Sequence, residues 1–454
     1  MAQLSNDCFA HGQEMMTTEA ALALLRDRIT PVAESEQVAV RDALGRVLCE
    51  DLLAPISVPG HDNSAVDGYA VFFEDLNSQS ETVLPVGGRS AAGHPLRRAM
   101  VRGEAIRIFT GAAMPQANTK PRADAKPRAD AQPQATTRQG EGTVSTLQPD
   151  TVMMQEDCVA ETGPDGNPIV RIRPGIKRGS NRRLAGEDLK QGAVAISAGT
   201  KLGPAELGLC ASLGLTTLGV FTRLRVGVFS TGDELSEPGQ ALAQGAVYDA
   251  NRFTLTGLLQ GLGVEIVDFG ILPDRRETIR NALKDAAQRV DLLLTSGGVS
   301  VGEEDHVRAA VEAEGSLHLW RLAIKPGRPI ALGQIGGTAF VALPGNPVAV
   351  MVTFLRFVRP MVVRLGGGHD DVPKLIKVRS GFDYRKKLDR REWVRVKLGS
   401  LADGFWQADK HGRDGAGVLS SMAGADGLVE LPEDITKVAV GDLVDFLPFN
   451  EVMR

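Results

Sequence analysis

The chain has 454 residues, too many for one hydrophobic core, and at ~100–200 residues per domain it holds about three or four domains. A formal net charge of -5, with both signs well mixed, leaves no electrostatic footprint for nucleic acid or an anionic membrane, so neither partner is expected. Cys8, Cys49, Cys158 and Cys210 stand far apart without a C-x-x-C pair, which argues against a disulfide framework or zinc knuckle and fits a reducing compartment. The N-terminal MAQLSNDCFAHGQEMM has neither a basic nor an apolar leader region. The most apolar helical stretch, near Met351, is interrupted by Arg356 and Arg359, so a soluble, cytoplasmic chain is expected.

In chain order, Thr18 is placed as the cap of a helix whose Leu22, Leu25 and Ile29 share one face and which Pro31 ends. After weakly alternating residues 36–54, PISVPGHDNSAVDGYAVFFED crowds Asp62, Asn63, Ser64 and Asp67 between apolar runs, a knot that Asx-turn chemistry explains as readily as a site does. Strand-like runs at 105–109 and 151–154, with frequent glycine between them, predict a small β domain. Residues 116–149 are different: rich in Pro, Ala, Gln, Arg and Lys, they repeat KPRADA in tandem at Lys120 and Lys126. With almost no large apolar side chains to offset the entropy of ordering, they are expected to form a disordered surface insertion. The basic run from Arg171 to Arg183, ahead of Gly186-Glu187-Asp188, is of the kind that usually makes a solvated face. Pro204 opens a helix that Gly214 closes.

Residues 223–368 alternate buried strands with amphipathic helices, the pattern of a three-layer α/β domain. Strands are expected at 226–229, 264–269 and from Asp291, with helices over 251–261 and along Ile279, Leu283, Ala286, Ala287 and Val290. Residues 330–332 and 338–343 read as a pair joined at Gly336-Gly337, and Asn346-Pro347 starts a long helix. Beyond Val372 the helical period vanishes, and segments 375–378, 393–398 and 443–446 predict a small all-β barrel or sandwich.

The stretch 291–305, DLLLTSGGVSVGEED, joins an apolar strand to a bare glycine loop and an acidic helix start. It reads as an anion cradle with carboxylates beside it or, equally, as a glycine turn whose acids complement a helix dipole. Loops of similar form follow the other strands: Ser230-Thr231-Gly232-Asp233-Glu234, Pro273-Asp274 and Pro344-Gly345-Asn346-Pro347. In a parallel sheet such loops meet at one edge, bringing Glu234, Asp274 and Asp305 together in a set suited to a phosphate ligand bridged by Mg2+. Lys325 and Arg328 add positive charge. No Walker, dinucleotide-fingerprint, H-E-x-x-H or G-x-S-x-G motif occurs, which argues against those four chemistries.

The ordered set NSAVDGYA at Asn63, RIFTGAAMP at Arg107, NRRLAGED at Asn181, FSTGDEL at Phe229, SGGVSVGEED at Ser296, LAIKPGRP at Leu322 and LPGNPVAV at Leu343 closely resembles the molybdopterin molybdenumtransferases, the MoeA family related to the E domain of gephyrin. The resemblance runs from about Thr18 to Asn450. It implies an elongated homodimer of four-domain subunits: a discontinuous linking domain at 18–54 and 189–221, a small β-rich domain at 55–188, the α/β domain at 222–368 and a C-terminal β-barrel at 369–454. It also implies insertion of molybdenum from molybdate into adenylylated molybdopterin, with release of AMP and help from Mg2+.

By the same resemblance the functional acids are Asp67, Asp188, Glu234, Asp274 and Asp305, with Glu234, Asp274 and Asp305 on the metal and Asp67 acting across the dimer. Substrate contacts fall on Thr110, Ser296, Gly297, Gly298, Ser300, Arg321, Lys325, Pro344, Asn346 and Pro347, and less securely on Arg391, Arg395 and Ser420 in the barrel. Arg321 stands where the family commonly has Lys, which keeps the charge and changes the geometry of an oxyanion contact. A molybdopterin adenylyltransferase and downstream molybdenum-cofactor proteins are the implied partners. Rival readings are the adenylyltransferases themselves, the competence-damage proteins that use this domain in nucleotide metabolism, and a gephyrin-like scaffolding role; the first two lack the NSAVDGYA region.

Overall fold

The structure, a computed structural model, describes residues 15–117, 148–297, 306–369 and 372–453. They fall into two compact units, one made of Leu52–Ile196 with Leu209–Leu215 and the other of the rest of the chain. The expected insertion at 116–149 lies almost wholly outside the described residues. At its described ends the Met100 N–H donates to the Gln116 carbonyl, and the Ala117 N–H donates to Gln148 Oε1 at 2.9 Å.

In the larger unit, four parallel strands lie side by side in the order Glu265–Leu272, Arg225–Thr231, Leu292–Ser296 and Thr338–Leu343. The antiparallel Pro329–Ile335 and Gly315–Arg321 extend the sheet beyond them. Because side chains alternate along a strand, Leu292 and Leu294 enter one core and Leu293 the other. The first core packs against Leu255, Leu258 and Leu259 of the Ala250–Leu262 helix; the second takes Ile279, Leu283 and Ala286 of Arg276–Ala286 and Val307, Ala310 and Val311 of His306–Glu314. This is the three-layer sandwich expected from the sequence, with a two-residue hairpin turn at Gly336-Gly337.

Two details differ. The cap of the first helix is Thr17, whose Oγ1 accepts from the Ala20 N–H at 3.2 Å, because Thr18 is fully buried. The helix from Pro347 is continuous to Leu365 but passes through a π turn at Phe354–Val358. Pro360 lacks the N–H that an α-helix would direct to the Arg356 carbonyl, which accounts for the widened turn.

The C-terminal strands close into a five-stranded barrel: Arg391–Ser400, Trp406–Lys410, Ile376–Ser380, Leu443–Pro448 and Gly427–Leu431, which pairs back to Arg391–Ser400. Val378, Val394, Val396, Val429 and Phe446 fill its interior, while Trp393, Leu428 and Leu447 face outward into the core of the α/β sheet. A sixth, short strand, Ile324–Lys325, adds in parallel to Arg391–Ser400 and sets Lys325 opposite Glu392.

The smaller unit has a six-stranded sheet in the order Thr151–Met154, Gly68–Val71, Ala105–Ile108, Thr82–Ser90, Pro168–Ile172 and Cys158–Thr162. Beside it Asn63–Ser64 pairs with Arg182–Arg183, so two motifs far apart in sequence, NSAVDGYA and NRRLAGED, meet.

Barrel closure depends on Gly427, which pairs with both Val396 and Pro448; a Cβ there would lie 2.2 Å from the Leu447 carbonyl oxygen. Gly427→Ala is therefore expected to destabilise the barrel by about 1–3 kcal/mol. Urea unfolding followed by tryptophan fluorescence, to which Trp393 and Trp406 contribute, checks this; an unchanged midpoint would contradict the packing described.

Candidate oxyanion cavity and the acids beside the sheet edge

Parallel register aligns Thr231 with Leu272, Ser230 with Ser296, and Ser296 with Leu343, so the loops that follow these four strands do share one edge. A single side chain ties two of them together. Asn251 Nδ2 donates to Ser296 Oγ at 2.8 Å and to the Gly345 carbonyl at 2.7 Å, while Ser296 Oγ donates to the Pro344 carbonyl at 3.0 Å. Asn251 sits in the first turn of its helix, which Asp249 caps by accepting from the Arg252 N–H at 3.1 Å. Arg252 is buried among Asp249, Asp268 and Glu237, and this fixes the turn that carries Asn251. Sequence reading passed over Asn251; the available signal was an Asn just past an Asp cap at the head of a helix.

Asp274 Oδ1 accepts from Thr231 Oγ1 at 3.3 Å. The Glu234 carboxylate folds back over Gly232, where a Cβ would meet it at 2.6 Å, so the glycine makes room for it. Asp305, Gly298 and Ser300 lie outside the described residues. Among the described residues no three His, Cys, Asp or Glu side chains gather to hold a metal. The acids that are described suit a cation held by one or two carboxylates, water and a substrate's phosphates, which is the usual Mg2+ mode. The buried Asn251 Oδ1, without a partner among the described residues, leaves an acceptor open at the same edge.

Next to this edge lies a cavity of about 700 Å3 between the glycine loops and the barrel. Gly297, Pro344 and Asn346 line one side, the turn from Ile324 to Pro329 another, and barrel residues Arg390, Glu392 to Arg395 and Asp414 to Ala416 the third. Among the described lining residues, Lys325, Arg328, Arg390 and Arg395 face two carboxylates, Glu392 and Asp414, an excess of two positive charges. Gly327 permits the tight turn: its φ is +92°, and a Cβ would lie 2.7 Å from Thr353 Cγ2.

Glu392 organises the cavity wall. Its side chain is 1% exposed and carries Arg390 on Oε1 and, on Oε2, the Tyr384 hydroxyl at 2.9 Å and Lys325 Nζ at 3.3 Å. Burial pushes the carboxyl up, but the bonds from Arg390 and Tyr384 and the charge of Lys325 overcome this and hold it below the usual glutamate range. Burial, reinforced by the neighbouring carboxylate, pushes the Tyr384 phenol up. Arg395 is buried, donates to the Arg413 carbonyl at 2.9 Å and keeps an unpartnered Nε among the described residues. Burial holds its guanidinium below the usual arginine range, so a dianion entering the cavity meets one cation already stripped of water.

Of the expected substrate contacts, Gly297, Lys325, Pro344, Asn346 and Arg395 line this cavity, whereas Pro347, Arg321, Arg391 and Ser420 do not. Arg391 is bound to Glu430 at 2.7 Å, to Glu433 at 2.8 Å and to Glu19, and Arg321 and Ser420 are exposed. Arg328 and Arg390 supply charge in their place. Asp67, Thr110 and Asp188 belong to the smaller unit. There Asp67 Oδ1 accepts from both the N–H and the hydroxyl of Thr110 at 2.8 Å, while Asp188 is exposed with its N–H donating to the Val58 carbonyl.

The two Thr110 bonds, backbone first, hold the Asp67 carboxyl below the usual aspartate range. Followed by NMR, Asp67 is expected to titrate below the reference of ~3.9. In Thr110→Val the value is expected to rise and still stay under that reference, because the backbone donor persists. A wild-type value at or above the reference would contradict the geometry.

Comparison with known proteins agrees across the chain. Family models match as the MoeA N-terminal region (domain I and II) at residues 16–125 and 120–214, a probable molybdopterin binding domain at 227–364 and the MoeA C-terminal region (domain IV) at 377–449. A molybdopterin molybdenumtransferase of Haemophilus influenzae is 34% identical over 440 residues, covering 97% of this chain and 100% of that protein. A gephyrin of Dictyostelium discoideum is 30% identical over 74% of this chain and 47% of its own length. The crystal structure of a molybdopterin biosynthesis MoeA protein from Pyrococcus horikoshii superimposes with a TM-score of 0.74 at 26% identity, covering 96% of this chain and 100% of that one. The chain belongs to the MoeA family of molybdopterin molybdenumtransferases.

Proposed function

We propose that this protein is a transferase that inserts molybdenum from molybdate into adenylylated molybdopterin, releasing AMP and forming the molybdenum cofactor. The observation that carries the reading is the cavity at the sheet edge, where the described lining residues set an excess of two positive charges against the two negative charges of molybdate. Lys325 and Arg395 seat the oxyanion, with Arg328 and Arg390 adding to the field; Arg395 is buried and held by the Arg413 carbonyl, so its contact forms without reorganising. Pro344, Asn346 and Gly297 form the wall on the side of the glycine loops, where a terminal phosphate of the pterin would sit. Asp274 and Glu234, joined by Asp305 as the resemblance implies, would hold Mg2+, which neutralises charge on the phosphoanhydride when bound. Asp274 keeps its carboxylate aimed along the edge through Thr231.

The MoeA N-terminal region, which carries NSAVDGYA, favours this reading over an adenylyltransferase built on the α/β domain alone. A homodimer, delivery of the pterin by a molybdopterin adenylyltransferase and transfer to downstream cofactor proteins belong to the same proposal. Among the described residues no helix is long and apolar enough to cross a membrane.

The test is AMP release by purified protein given adenylylated molybdopterin, Mg2+ and molybdate. Molybdate-dependent release is expected, and its absence would overturn the proposal. Arg395→Gln is expected to raise the KM for molybdate about tenfold, the weight of one charge-assisted contact. Asp274→Asn is expected to lower kcat by at least about tenfold with the fold intact by circular dichroism. Near-normal turnover in either variant would remove that residue from the mechanism.

A further inference from the structure

Asn251 and Ser296 use all their side-chain hydrogens inside the protein. The Asn251 amide has two, and gives one to Ser296 Oγ at 2.8 Å and the other to the Gly345 carbonyl at 2.7 Å. Turning the amide over would set its oxygen against that carbonyl, so the nitrogen is the atom that lies between the two acceptors. Ser296, only 5% exposed, has a single hydroxyl hydrogen, and the Pro344 carbonyl at 3.0 Å takes it. Arg252, next in the chain to Asn251, is buried and bound to Asp249 at 3.0 Å, which fixes the helical turn from which Asn251 reaches the two loops.

A dianionic phosphate or oxyanion offers only acceptors, so neither Asn251 nor Ser296 has a hydrogen left to give it. The same bonds turn two successive carbonyls, those of Pro344 and Gly345, into the latch and away from a ligand that their partial negative charge would repel. Both peptide bonds are trans, since the cis bonds among the described residues are Val58-Pro59 and Lys325-Pro326. In a planar trans peptide the N–H points opposite to the C=O, so the N–H groups of Gly345 and Asn346 point away from the latch. Gly345 and Asn346 both line the first cavity.

We propose that Asn251 is a positioning residue for the transfer reaction. With Ser296 it holds the peptides after Pro344 and Gly345 with their carbonyls turned in and the N–H groups of Gly345 and Asn346 turned to the terminal phosphate of the pterin. This rests on the function given above, and it assigns Ser296 to the latch rather than to direct contact with substrate. The plain alternative is an Asn that only secures the start of its helix; such a residue would move Tm and leave substrate binding alone.

The experiment is steady-state AMP release by the full chain with Mg2+, varying adenylylated molybdopterin and molybdate in turn, in Asn251→Leu, Ser296→Ala and the two combined. Leucine keeps the branched shape and zero charge of asparagine without its donors. Each single variant is expected to raise the KM for adenylylated molybdopterin about tenfold. The KM for molybdate, which Lys325 and Arg395 hold, is expected to stay unchanged. Because the two side chains act through one latch, the combined variant is expected to be no worse than the more damaged single one, whereas independent contacts would multiply to about a hundredfold. That multiplied effect would return Ser296 to the substrate and overturn the proposal. A lowered Tm with an unchanged KM would overturn it as well. If circular dichroism shows Asn251→Leu unfolded, Asn251→Ala takes its place in the same cycle. A wild-type protein without molybdate-dependent AMP release removes the function and the latch together; a wild-type protein that turns over, beside variants with unaltered KM, removes the latch alone.

Discussion

The carboxylate of Glu392 is the point on which the larger unit turns. A buried acid carrying an arginine, a lysine and a phenol cannot lose a partner cheaply, and breaking such a pair ordinarily costs ~3–5 kcal/mol. Its partners come from two architectures: Arg390 and Tyr384 from the barrel, and Lys325 from a two-residue strand that leaves the α/β sheet to pair with the barrel. The ion pair and the parallel pairing of Ile324–Lys325 with Arg391–Ser400 therefore fix barrel and sheet together, and the cavity is the space between them. With one carboxylate shared by Arg390 and Lys325, positive charge is left over for a ligand.

The opposite wall is set by neutral hydrogen bonds. Asn251 holds the loop after Leu292–Ser296 to the loop after Thr338–Leu343, and Gly327 lets the basic turn approach the following helix. The buried cluster of Arg391 and Arg356 with Glu430 and Glu433 lies behind the cavity, between the π turn and the barrel. Its guanidinium groups are committed to carboxylates, which explains why a barrel arginine adjacent in sequence to the site faces away from it. Arg391 shares its strand face with Trp393 and Arg395, which do line the cavity, so its ion pairs with Glu430 and Glu433, rather than strand alternation, keep it out of the lining.

Much of the α/β domain was legible because its signals are periodic. The Leu292–Leu294 run, the Gly336-Gly337 hairpin and the Asn346-Pro347 helix start each depend on a few neighbouring residues. Gly315–Arg321 was not foreseen, since the strand begins at Gly315, the residue directly after the His306–Glu314 helix. Asn251 was invisible for another reason: its role is defined by two carbonyls distant in sequence. The same holds for Glu392, an ordinary strand residue until Lys325 is placed opposite it. The motifs led to Lys325 and Asn346, whereas telling Arg395 from Arg391 required the barrel register. The paired motifs around Asn63 and Arg182 could be read as important and not as adjacent.

The central claim is that the cavity between the glycine loops and the barrel receives molybdate. Crystals soaked in molybdate and measured at the molybdenum absorption edge would locate the metal directly by anomalous scattering. The account predicts a peak within hydrogen-bonding reach of its oxygens to Lys325 and Arg395. A protein that turns over in the crystal and binds molybdenum only elsewhere, leaving this cavity without a peak, would contradict it.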